Sequence, residues 1–161
     1  MSEDARFEDG VEKPLRLAAV DADDLGVLAA LVQDAVMPAN EMVWQKRRRR
    51  FACLLNRFRW EDKTRAERGR RAFERVQSVL AFDDVFAVAH QGINARGEET
   101  VLSLLTLTFQ PGEDGTGRMV LTFAGDGAVA LDVEAINVTL QDVTRPYRAP
   151  SGQAPSHPDD F

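Results

Sequence analysis

Few side chains in this 161-residue sequence could do chemistry, and their spacing decides among them. The single cysteine, Cys53, stands between Phe51 and Leu55, where a thiol behaves as a small hydrophobe rather than a nucleophile. The two histidines, His90 and His157, are far from it and from each other in sequence, and match no metal-ligand spacing. Asp21, Asp23 and Asp24 alternate like the start of a calcium loop. However, no bidentate glutamate follows at the twelfth position, where Val32 stands, and helix capping explains them. The glycine strings PGEDGTG (111–117) and GDG (125–127) fall between strand-like segments with no helix start to complete a phosphate cradle. Paired carboxylates such as Asp83-Asp84 and Glu98-Glu99 lie at turns, too wet to be tuned for acid–base work. No catalytic, cofactor-binding or metal-binding residue is expected, and no cofactor.

The charge distribution carries more information. Residues 1–44 hold 3 Lys/Arg against 10 Asp/Glu, residues 45–75 hold 13 against 4, and residues 76–161 hold 4 against 12. A basic block thus sits inside a chain of net charge −6. Its cations open with Lys46 to Arg50 and continue through Arg57, Arg59, Lys63, Arg65, Arg68, Arg70, Arg71 and Arg75. Arginines alternating with Phe58 and Trp60 resemble a platform for single-stranded nucleic acid, with cations for phosphates and rings for stacking. Alternation along a strand points the rings away from Arg57 and Arg59, and the acidic remainder would repel a polyanion. Arg47, Arg48, Arg49, Arg50, Arg57 and Arg59 are therefore candidates for anion or partner binding, with the charge used inside the protein or its oligomer.

These residues must be positioned by an alternating pattern. Leu15 to Val20 is strand-sized, and Asp21 then caps a helix whose apolar positions are Leu25, Leu28, Ala29 and Val32. From Met42 the period is two. In RRFACLLNRFRWE the even positions Ala52, Leu54, Phe58 and Trp60 make one apolar face, and the odd face runs from Phe51, Cys53 and Leu55 into Arg57 and Arg59. Such a strand is buried on both sides at first and then turns a basic face to solvent. Residues 61–72 read as a loop or solvated helical excursion. Further strands follow around Val76–Phe82, Val85–His90, Val101–Phe109, Met119–Phe123 and Val129–Val133. Leu105, Leu107, Leu121 and Leu131 are assigned to the core beside Trp60, Phe58, Leu54, Phe82 and Phe123. In residues 134–143, Ile136, Leu140 and Val143 favour a short helix while Val138 and Thr139 favour a strand; the helical reading is preferred.

Four strings occur together: LVQDAV (31–36), RRFACLLNRFRWE (49–61), LTFAGDGAVALDVE (121–134) and LQDVTRPY (140–147), followed by Pro-Ser-His-Pro. In these the chain resembles an alphaproteobacterial family known only as a domain of unknown function, over residues 14–157. The resemblance implies no activity and no site residue.

The expected fold is α+β, one domain over 14–147 with flexible tails at 1–13 and 148–161. It has an N-terminal helix, an antiparallel sheet of about six strands that curls into a roll or barrel of pleckstrin-homology type, and a short C-terminal helix. The start of the chain has no basic region followed by an apolar one, and the longest apolar runs are strand-sized, so a cytoplasmic protein is expected. The expected function is non-enzymatic binding or scaffolding, with an unknown protein partner or a homo-oligomer, and without nucleic acid or membrane. A small enzyme with a hidden site, or anion and nucleic-acid binding through residues 46–75, is the alternative.

Overall fold

The computed structural model describes residues 14–60, 74–93 and 100–144, and the backbone of 147–148. Residues 1–13, 149–161 and the 61–72 excursion, with Lys63, Arg65, Arg68, Arg70, Arg71 and His157, lie outside the described residues, whereas Arg148, expected in the C-terminal tail, pairs with Glu74 of the neighbouring strand.

Among the described residues eleven strands and one α-helix succeed one another: β1 (Arg16–Ala19), α1 (Ala22–Leu31), β2 (Val36–Pro38), β3 (Met42–Gln45), β4 (Arg50–Phe58), β5 (Glu74–Phe82), β6 (Val85–Gln91), β7 (Val101–Pro111), β8 (Gly117–Phe123), β9 (Ala128–Val133), β10 (Val138–Asp142) and β11 (Tyr147–Arg148). Every pairing is antiparallel. Along the sheet the order is β1-β10-β5-β4-β2-β7-β8-β9-β6, with β3 also on β4 and β11 also on β5. The strands β5 and β6 are joined by Asp83 and Asp84 alone, yet stand third and ninth in this order. Likewise β9 and β10, four residues apart, stand eighth and second. Links this short require the sheet to bend over on itself, with the core between its two halves. Leu80, Phe82, Leu104, Met119, Leu121 and Leu131 fill that space.

The helix forms as its sequence dictates. The Asp21 carboxylate accepts the Asp24 N–H at 2.8 Å, and Leu25, Leu28 and Val32 are buried on one stripe.

Five expectations are corrected. Among the described residues the strands number eleven rather than about six, because short runs such as Val36–Pro38 and Met42–Gln45 pair as strands. The sheet also does not close into a barrel. Residues 138–142 are β10 and not a helix: Val138, Leu140 and Asp142 point inward, and β1 and β5 hydrogen-bond the segment from both sides. A segment flanked by two strands gains a full ladder on each edge, which outweighs the helical spacing of Ile136, Leu140 and Val143. In β4 the core face is odd, with Phe51, Cys53, Leu55 and Arg57 all buried. The even residues Ala52 and Leu54 are half-buried, and Trp60, beyond the strand, is half-buried too. Arg57 therefore never emerges. Finally, Leu105 is exposed rather than in the core. The pairing of β7 with β8 slips between Leu104 and Thr106, and this bulge moves the buried phase from Leu102 and Leu104 to Leu107.

Candidate functional site

Among the described residues, most of the cations of the basic block are consumed by the fold. Arg57 is fully buried on the core face of β4, and Asp142 on β10 meets it. The Arg57 Nη2 donates to both Asp142 oxygens at 3.0 and 3.1 Å, its Nε to Ser78 Oγ and Asp142 Oδ1, and its Nη1 to the Phe58 carbonyl. Ser78 Oγ and the Leu15 N–H donate to the same carboxylate at 2.6 and 2.9 Å. A buried ion pair needs this completeness, because each charge has lost its water. Arg59 pairs with Glu74, Arg50 with Asp83 and Arg49 with Glu134. The hydrogen bond and charge of Asp83 raise the Arg50 pKa still further above its ordinary value.

Lys46, Arg47 and Arg48 remain. They form a 3-10 turn between β3 and β4, all three exposed, and among the described residues they have no acidic partner. Arg49, in the left-handed conformation at φ 55°, reverses the chain into β4. Of the six candidate residues, the structure thus places only Arg47 and Arg48 on the surface without an ion pair among the described residues.

The turn borders an opening in the sheet. The Arg49 carbonyl accepts the Val85 N–H at 2.9 Å, pinning the start of β6 to the start of β4. Beyond that bond, among the described residues, β6 pairs only with β9 and β3 only with β4. The turn Lys46–Arg48, which immediately precedes Arg49, therefore lies at the Val85 end of β6. Between β3 and β6 lies a recess of about 340 Å³, lined by Met42 and Trp44 from β3, Phe51 from β4, Val88 and His90 from β6, and Val129, with Ala39 and Ile93 at its ends. His90 shares its face of β6 with Val88, since its partner across β9 is the inward Val129. Gly92 ends the strand at φ +67°, where a Cβ would come within 2.6 Å of the Asp126 carbonyl oxygen; this turn delivers Ile93 to the recess.

Two further hollows of about 280 Å³ each are lined by neighbouring strands of one continuous stretch of sheet. The seam differs in having strand edges on both sides and two aromatic walls. Cys53, one strand position from this region, is buried, and desolvation pushes its thiol up to about 12, so it carries no thiolate at neutral pH.

The seam residues escaped the sequence reading. Trp44 packs on the core, while Trp60, assigned to the core from the sequence, packs tilted against Phe58 and donates its indole N–H to the Gln33 carbonyl at 3.2 Å. One signal was present in the sequence. The run Val85–Gln91 contains no charge and no proline, which is how an edge strand without protection reads.

Residues 15–157 match the model of a family described as a protein of unknown function (DUF2948), and the chain belongs to that family. No curated protein and no solved structure matches it. Among the described residues no helix is long and apolar enough to cross a membrane.

Proposed function

We propose that this chain is a non-enzymatic binding protein whose recognition site is the seam between β3 and β6. The observation that supports this reading is the recess itself: about 340 Å³, walled by Trp44, Phe51, Met42, Val88 and Ile93, with His90 as its titratable group. Ligand sites are concave, mostly apolar and furnished with few polar groups, and this recess has that composition. Methionine adds a wall that reshapes around a guest. The exposed Lys46, Arg47 and Arg48 beside the opening favour guests carrying negative charge near the apolar part.

The test is a titration with anilinonaphthalene sulfonate, which joins apolar rings to one anionic group. Its fluorescence rises on entering the seam of the native protein, with a midpoint in the micromolar range. Ile93→Asp places a charge at the rim from a turn residue, outside the ladder. It weakens the dye by about tenfold or more while the variant still unfolds cooperatively, at a cost of about 1–2 kcal/mol for a charge on a partly buried residue. A dye response absent from the native protein, or indifferent to Ile93→Asp, rules the seam out.

A further inference from the structure

Resting on that reading, we propose that the natural guest of the seam is an extended polypeptide segment of a partner protein. It adds to the free edge of β6, with a bulky apolar side chain in the recess and carboxylates against Lys46–Arg48.

Three observations converge on this occupant. First, the edge of β6 from Ala87 to Gln91 offers its backbone groups to no described strand, although the register with β9 is regular there. An unpaired edge is a template for another strand, and folded proteins usually blunt it with charge, proline or a covering element. Here the residues are Ala87, Val88, Ala89, His90 and Gln91, none of them a blunting residue. The bulge that does occur lies between Val85 and Ala87, at the end where Arg49 already takes the Val85 N–H.

Second, the recess opens on the inner side of this same edge. When a strand is added to a sheet, main-chain bonds supply affinity and alternate side chains fall into whatever pocket lies beneath. A side chain directed inward beside Val88 and His90 would meet Trp44, Phe51 and Met42.

Third, the charge is directional. Lys46, Arg47 and Arg48 stand at the Val85 end of the seam. A strand antiparallel to β6 has its C-terminal end there. The favoured segment therefore carries its large apolar residue first and its acidic residues a few positions later.

The probe is a fluorescein-labelled peptide, Thr-Val-Thr-Phe-Thr-Val-Asp-Asp-Glu, followed by anisotropy and by hydrogen exchange of the full chain. We expect micromolar binding that protects amides within residues 87–91. A loss of about tenfold is expected when the phenylalanine is replaced by serine, or when alternate backbone amides of the peptide are methylated. The exposed triple variant Lys46→Gln/Arg47→Gln/Arg48→Gln is expected to weaken peptide binding several-fold and flatten its salt dependence, while the dye, with its single anionic group, loses less affinity than the peptide.

Four results would overturn the proposal. Equal binding of the methylated peptide removes strand addition. No peptide binding, with dye uptake intact, removes the polypeptide guest while the seam survives as a small-molecule site; loss of both removes the seam itself. Protection of residues 87–91 that rises with protein concentration in the absence of peptide makes a second copy the occupant.

Discussion

Arg57 and Asp142 meet inside the protein with side-chain exposures of 0% and 4%, joining β4 to β10 across β5. The pair sits where three separate parts of the chain converge. Asp142 also holds the Leu15 N–H and Ser78 Oγ, so one carboxylate ties β10 to the start of β1 and to β5. Removing either partner strands a desolvated charge. Asp142→Leu and Arg57→Met are each expected to cost about 3–5 kcal/mol in urea denaturation, whereas the double variant Arg57→Met/Asp142→Leu costs well below the sum. Additive losses would show that the two charges do not depend on each other.

Trp44 walls the recess and Trp60 does not, so the two indoles are expected to report differently. In the native protein, filling the seam with anilinonaphthalene sulfonate quenches tryptophan emission by energy transfer and contact. In Trp44→Phe, the quenching falls by more than half, because only the more distant Trp60 remains. Unchanged quenching in that variant would place the dye elsewhere.

Asp34 follows α1 in the left-handed conformation at φ 64°, and partial burial raises its pKa above the ordinary 3.8. A carboxyl whose pKa is raised on folding favours the folded state when protonated. Its contribution is complete below the unfolded value and is lost as pH rises through the folded one. Asp34→Asn removes the desolvated charge and keeps a side chain that tolerates positive φ. The variant is expected to be more stable than the parent at neutral pH, with the gap closing as pH falls into the carboxylate range. Denaturant midpoints measured from about pH 7 down to about pH 4 test this, and a gap that widens on acidification would contradict it.

Cys53 packs on the core face of β4 with its thiol pushed up to about 12. Alkylation of the native protein at neutral pH is expected to follow global unfolding, and Cys53→Ala to cost about 1–2 kcal/mol without altering dye uptake. Labelling within seconds under native conditions would show a thiol reachable from the seam.

The sequence by itself determined the local elements. Asp21 and the stripe Leu25, Leu28 and Val32 specify α1, and the alternation in Val76–Phe82, Met119–Phe123 and Val129–Val133 specifies β5, β8 and β9, because side-chain period and capping are properties of a few adjacent residues. The segregation of charge was legible for the same reason. Only the tertiary structure decided which face of β4 is the inner one, because Phe51, Cys53 and Leu55 compete with Ala52 and Leu54 on equal apolar terms until β5 and β10 bring Asp142 to Arg57. It likewise decided that residues 138–142 are a strand, since the two flanking ladders come from β1 and from β5, far away in sequence. The bulge at Leu105 is set by pairing with β8 and has no signature in β7 alone. The seam belongs to this second class. Its walls lie at residues 39–51, 88–93 and 129, and they meet only because the short β5–β6 and β9–β10 links fold the sheet over.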